Sequence, residues 1–306
     1  MRYLILVLKD YSYPFLDRML ADVKLSGIRV ISFLSAGGRL IADEGPGGAD
    51  ALEAAVEDDL NKHAFILTDC SAGIDMAHRY DTGYVFYEAD PSGISGSAGD
   101  ENDERPDASD ACCIIQGFDE TGAGFYIKMF ERFHHLPWTI LKTERLILRE
   151  MTVDDVDRLY EIYSGPGITD FTEPLYEDRQ REVEYTKDYI RNMYEFCGYG
   201  LWIVAERDGD KEGRIVGRAG ITGREGYDEA ELGYVIEASR QRRGYATEAC
   251  SAIVEYARDV LYMKGLNCFV YPGNEASVKL CKLLGFEYIE DVLISGSDML
   301  RYHLSL

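Results

Sequence analysis

Short apolar runs, YLILVL (3–8), RVISFL (29–34), AFILT (64–68) and YVFYE (84–88), punctuate the first part of the chain. Between them lie the amphipathic stretches FLDRMLADVK (15–24), ADALEAAVEDDL (49–60) and AGIDMAHRY (72–80). Unbroken apolar runs suit strands buried on both faces, and their alternation with helical periods predicts a parallel sheet covered by helices. The segment DPSGISGSAGDENDERPDASD (90–110) has too few apolar side chains to bury and reads as a mobile loop over about 91–110. A further strand, ACCIIQG (111–117), and a helix, FYIKMFERF (125–133), follow it, so the loop interrupts a first domain spanning 1–140.

The pattern changes near PWTILKTERLILREMTVDDVDRLYEIY (137–163), where an alternating strand runs into a helix. Thr152 and Asp155 have the spacing of a capping box at its start. Val183, Thr186, Ile190 and Met193 recur at helical spacing and predict a second helix. Three strands follow, GLWIVAER (200–207), GRIVGRAGITG (213–223) and EAELGYVIE (229–237), joined by the turn DGDKEG and the loop REGYD. Ala249, Ile253, Tyr256, Ala257 and Val260 mark one face of a third helix; a strand NCFVY (267–271), a helix from about 274 to 284 and final strands close a second domain spanning 141–306.

Composition narrows the class without naming a function. The 306 residues, 46% hydrophobic and 28% charged, fit two globular domains, and no run approaches the roughly 18 apolar residues of a membrane span. The apolar N-terminal stretch is too short for a signal peptide, and seven cysteines without a CxxC pair fit free thiols, so a cytoplasmic protein without structural metal is expected. A formal net charge of −23 repels nucleic-acid backbones and neither the pattern nor the charge predicts a membrane partner. Oligomeric state is not legible.

Against that acidity, RQRRGYATEA (240–249) places three arginines in four positions ahead of a helix. A helix start with free amides and a glycine for close approach is an anion site, yet the spacing is neither a P-loop nor GxGxxG. The stretch 241–246, Gln-Arg-Arg-Gly-Tyr-Ala, resembles the acyl-CoA signature of GCN5-related N-acetyltransferases (GNAT), and TERLILREMTVDD with RRGYATEA is similar to the ribosomal-protein alanine acetyltransferase branch. GN at 273–274, AS at 276–277 and LLGF at 283–286 extend the likeness over about 141–306.

The alternation of the first domain and the resemblance of the second together imply an α/β protein in which a Rossmann-like parallel domain precedes a GNAT mixed-sheet domain. The resemblance implies acetyl-CoA as co-substrate and a primary amine, on a small molecule or a peptide N-terminus, as acceptor. Backbone amides of Arg242, Arg243, Gly244, Tyr245, Ala246 and Thr247 would cradle the diphosphate, the backbone of Val235 and Ile236 would pair with the pantetheine arm, and Asn274 would hydrogen-bond it, unless Asn274 serves only as a helix cap. Alternation in DEAELGYVIE sets Glu229, Glu231, Gly233 and Val235 on one face, and Glu231 is the candidate general base or else a plain strand carboxylate. Relatives carry a tyrosine acid four residues after the helix serine; Cys281 stands there, as donor or as core packing, with Ser277 or water as substitute. That departure leaves a non-catalytic acetyl-CoA sensor as the alternative function. The aromatic and acidic segments 164–180 and 194–200 are the expected acceptor wall. In the first domain, strands ending in Asp10 and Asp69 faintly resemble haloacid-dehalogenase-like hydrolases, but Ser12 stands where the second carboxylate belongs, implying a degenerate relative without phosphatase chemistry.

Overall fold

The computed structural model describes residues 1–36, 39–42, 60–88, 106–209 and 211–306. It comprises two compact units, Met1–Leu136 and Pro137–Leu306. All but the last residue of the predicted helix 49–60 and most of the predicted mobile loop lie outside the described residues.

In the first unit, strands β1 (Tyr3–Leu8), β2 (Arg29–Ala36), β3 (Arg39–Ala42), β4 (Ala64–Thr68), β5 (Tyr84–Tyr87) and β6 (Cys113–Ile115) form one sheet in the order β3-β2-β1-β4-β5-β6. Every pairing is parallel except that of β3, an edge strand that the apolar pattern did not reveal. All six residues of β1 and all five of β4 are buried, as strands covered on both faces require. Helices α1 (Leu16–Leu25), α2 (Leu60–His63), α3 (Ser71–Tyr80) and α4 (Ala123–Phe133) accompany them. Leu16, Met19 and Val23 of α1 and Ala123, Tyr126 and Phe130 of α4 are the buried stripes that hold two of these helices to the sheet. The parallel strands follow a flavodoxin-like order, with its switch point between β1 and β4. Asp10 and Asp69 follow these strands, and both are engaged internally. The Ser12 amide donates to Asp10 at 2.9 Å, the Ser12 hydroxyl bond is the larger influence holding Asp10 below the usual carboxylate range, and Asp69 accepts the Lys9 amide at 2.9 Å and the Tyr13 hydroxyl.

The second unit is built on an eight-stranded mixed sheet in the order β13-β14-β12-β11-β10-β9-β8-β7. The stretch expected to be a single opening strand is a hairpin, β7 (Thr139–Lys142) and β8 (Leu146–Arg149), because the chain reverses at Thr143 to Arg145. A short 3₁₀ turn then leads into α5 (Val156–Tyr163); Asp155 accepts the Thr152 amide at 2.7 Å, the capping-box contact, and is also gripped by Arg149. Helix α6 (Arg179–Tyr189) passes into a π-helical stretch, Ile190–Cys197, which the helical spacing did not foresee. The wider turn brings Tyr194 into the core and leaves Ile190 and Met193 half-buried; Val183, on the regular part of the helix, is half-buried too.

Strands β9 (Leu201–Asp208), β10 (Lys211–Thr222) and β11 (Glu231–Ile236) make an antiparallel meander. Helix α7 (Tyr245–Asp259) buries Ala249, Cys250, Ile253 and Ala257; Val260, expected on that face, lies past the helix end and is exposed. Strand β12 (Gly265–Val270), helix α8 (Glu275–Leu283) and strands β13 (Glu287–Ile294) and β14 (Ser297–Ser305) complete the unit. Among the described residues no helix is long and apolar enough to cross a membrane, and all seven cysteines are free.

Candidate active site

Two neighbouring parallel strands, β11 and β12, come apart. Their only paired position is Glu231 with Asn267, and the Asn267 amide donates to the Ala230 carbonyl at 2.8 Å. Asn267 is fully buried; its side chain donates to the Glu229 carbonyl at 3.1 Å and accepts Arg301 Nε at 2.9 Å, which fixes the branching point. Beyond it β11 keeps β10 as partner through Ile236, so the opposite backbone edge of Leu232 to Val235 is open. Of the residues expected to meet the pantetheine arm, Val235 lies on that stretch and Ile236 just past it, its carbonyl accepting Gln241 Nε2 at 3.1 Å; both line a cavity of about 1350 Å³.

The arginine-rich turn opens into the same cavity. Arg242 and Gly244 have left-handed φ of 58° and 82°, which folds the turn tightly so that the first amides of α7 point outward without intrahelical partners. Arg145 clamps the turn from behind, donating from Nη1 to the Arg243 carbonyl at 3.0 Å and from Nε to Glu248 at 2.6 Å. Arg242, Gly244, Tyr245, Ala246 and Thr247 line the cavity, whereas Arg243 does not. Asn274 caps α8 by accepting the Ser277 amide at 3.1 Å and lines the cavity too, so the cap and the ligand role are compatible.

Glu231 sits at the branch with 9% exposure. Burial raises its pKa, opposed by the Arg224 guanidinium hydrogen-bonded to Oε2, while Oε1 faces no such partner. Arg224 in turn lies over the Phe269 ring at 5.2 Å. Cys281, only 3% exposed, does not line the cavity; it lies one helical turn deeper than Ser277 and packs against Cys268. The hydrogen bond between these thiols favours the thiolate on Cys281 and raises the Cys268 pKa. Ser277 does reach the cavity, and its Oγ is 2.8 Å from the Tyr234 hydroxyl, whose pKa burial pushes far up. Tyr234 was not anticipated: its signal, a tyrosine on the face of β11 opposite Glu231, has meaning only once α8 is known to lie across that face. Of the anticipated acceptor wall, Phe171 and Glu173 from the first segment and Cys197 and Tyr199 from the second line the cavity.

The acetyltransferase (GNAT) domain pattern matches residues 145–287. The second unit belongs to the GNAT acetyltransferase superfamily. The GNAT unit is 29% identical over 151 residues to the "Uncharacterized N-acetyltransferase YoaA" of Bacillus subtilis (strain 168), covering 48% of this chain and 82% of that protein. It is 28% identical over 160 residues to the "Uncharacterized N-acetyltransferase p20" of Bacillus licheniformis, covering 48% and 82%. Among solved structures, the acetyltransferase from Agrobacterium tumefaciens str. C58 aligns with a TM-score of 0.47 at 24% identity, covering 55% of this chain and 96% of that one. The domain match and the relatives named as N-acetyltransferases identify the protein as an acetyltransferase.

Proposed function

We propose that the GNAT unit transfers the acetyl group of acetyl-CoA to a primary amine. One observation carries the reading: the anion-binding turn at 242–247 and the open edge of β11 line a single cavity that also contains Glu231 and the Tyr234–Ser277 pair. The residues fit the co-substrate. Free amides of the α7 start suit its diphosphate, and the unpaired backbone of β11 suits the amide groups of its arm. Bound acetyl-CoA supplies the activated acyl thioester.

The chain's own groups then handle the protons. An amine must be neutral to attack, and Glu231 Oε1 accepts its proton through a water, helped by burial, which makes this carboxylate a stronger base than an exposed one. The departing thiolate needs a proton in return, and the Tyr234 hydroxyl, paired with Ser277 and lining the same cavity, is the proposed donor. The sensor alternative rested on the missing tyrosine of α8 and on the unexplained first domain; Tyr234 answers the first ground from a strand, with Cys281 as packing, and leaves the second standing.

Calorimetry tests the co-substrate. Wild-type protein binds acetyl-CoA, and Gly244→Val weakens binding at least about tenfold, because a β-branched residue is strained at φ 82° and its Cβ would stand 3.3 Å from Arg145 Nη2. No binding by the wild type, or equal binding by the variant, refutes the assignment of this turn.

A further inference from the structure

The wall of the cavity away from α7 contains a cation without a counter-ion. Arg218 stands in the middle of β10, inside the otherwise uncharged run IVGRAGITG, with Val235 and Ile203 as its cross-strand partners. It is half-buried and lines the cavity. Its Nε donates to the Tyr163 hydroxyl at 2.7 Å, and its guanidinium lies 5.0 Å from that ring's centroid. Tyr185 and Tyr189, close enough to feel its charge, are phenols whose pKa burial raises, so they face it neutral. Among the described residues no carboxylate forms an ion pair with Arg218, and its Nη groups have no hydrogen-bond partner. Glu182, buried near Tyr163 and Tyr185, instead accepts the Tyr176 amide at 3.0 Å.

Acidic residues outnumber basic ones by 55 to 32, so an unpaired guanidinium is not explained by scarcity of partners. The half-buried arginines Arg149, Arg158, Arg224 and Arg301 pair with Asp155, Glu237, Glu231 and Glu290 respectively. Burying a guanidinium without an anion costs free energy, since it stays charged at any physiological pH. The cost is recovered if a ligand brings the anion.

The surroundings say which ligand. Arg218, Gly220 and Thr222 share a face with their partners Val235, Gly233 and Glu231. Trp202, whose ring meets Tyr256 of α7 at 5.6 Å, lies on the other face, so Arg218 points away from the helix whose start suits the diphosphate. Between Arg218 and Glu231 the floor is open at Gly233, where an added Cβ would meet only Leu201 Cδ2, at 3.7 Å, whereas the Gly200 carbonyl covers Gly220, 2.0 Å from where a Cβ would stand. Four residue steps along β11 lead from Val235 to Glu231, about 13 Å of strand. At the far end Glu231 and Glu173 offer negative charge to an incoming ammonium. The floor therefore has a negative pole at the base and a positive pole at Arg218.

We propose that Arg218 binds an oxyanion carried by the acceptor, so that the acetylated amine is a small molecule bearing a carboxylate or a phosphate rather than a purely cationic amine. This rests on the acetyltransferase reading of the same cavity. Arg218 is a specificity residue: it selects the acceptor and takes no proton.

The test uses the full-length protein and matched acceptors that cover a range of spans: each L-amino acid with its amide, straight-chain ω-amino carboxylates from β-alanine to 8-aminooctanoate with their amides, and O-phosphoethanolamine with ethanolamine. Thiol release is followed at saturating acetyl-CoA. For at least one pair the wild type prefers the anionic member by about 30-fold or more in kcat/KM, the scale expected for a desolvated charge pair. Arg218→Gln brings that ratio close to one through KM, Arg218→Lys keeps part of it, and acetyl-CoA affinity changes less than about threefold in both. The pair that shows the preference tells carboxylate from phosphate. The proposal is overturned if neutral members are used as well as anionic ones, if the ratio survives Arg218→Gln, or if a protein that binds acetyl-CoA acetylates none of the anionic amines. Failure of the wild type to bind acetyl-CoA instead removes the underlying reading, and the proposal with it.

Discussion

Replacing Glu231 by glutamine removes the proton acceptor while keeping its shape. Oε2 is held by Arg224, so the base works through Oε1; a carboxamide at that site has no comparable basicity. General-base assistance is typically worth about 10²- to 10⁴-fold, or about 2.7–5.4 kcal/mol of barrier at 1.36 kcal/mol per decade. Losing the ion pair costs the fold little by comparison, about 1 kcal/mol, because Arg224 keeps 27% of its side-chain surface exposed and remains solvated. The expected result is therefore a folded protein with unchanged acetyl-CoA affinity and kcat lowered at least about a hundredfold, measured by thiol release. The pH profile supplies an independent check. Catalysis needs ionised Glu231, so activity falls on the acid side through its pKa, which burial raises and Arg224 lowers. Arg224→Met removes the lowering influence, and the acid limb moves to higher pH. Turnover of Glu231→Gln within about threefold of wild type, or an acid limb indifferent to Arg224, would refute Glu231 as the base.

Tyr234→Phe deletes the hydroxyl 2.8 Å from Ser277 and lowers kcat about a hundredfold with little change in acetyl-CoA affinity, whereas Cys281→Ala affects thermal stability and leaves kcat within about threefold; the reverse pattern would return the acid role to Cys281. The core of the second unit draws its buried members from Leu146 to Tyr302, so residues 137–306 expressed alone are expected to fold cooperatively and bind acetyl-CoA like the whole chain; an aggregated or non-binding fragment contradicts this. Glu237 has its pKa lowered by the Arg214 hydrogen bond and, against burial, by the Arg158 charge, so its stabilisation is complete above the ordinary value of 4.5 and fades as pH falls through the lower folded value. Glu237→Gln should thus lower Tm by about 2–4 °C at pH 7 and by progressively less below pH 4.5, a loss that calorimetric scans across pH would detect.

Local pattern by itself determined the strand–helix alternation of both units, since YLILVL and AFILT can satisfy their apolar surface only as strands covered on both faces. It also determined the turn proposed here to bind an anion, because Gly244, the arginines and the start of α7 are contiguous and their geometry is set within a few residues. What local pattern misjudged depended on neighbours distant in sequence. The β7–β8 hairpin looks like one alternating strand, and the π-helical stretch keeps the composition of an ordinary helix while rotating Tyr194 inward. The candidate site follows the same division. Cys281 and Ser277 are one turn apart on α8 and equivalent to any periodicity argument, yet packing against β12 buries the first and leaves the second open to the cavity. The Tyr234–Ser277 contact spans 43 residues, and the neutral tyrosine cage of Arg218 is assembled from α5, α6 and β10. Only the tertiary structure decided these, because which side chain meets which across a splayed sheet depends on register and layer packing, not on spacing along the chain.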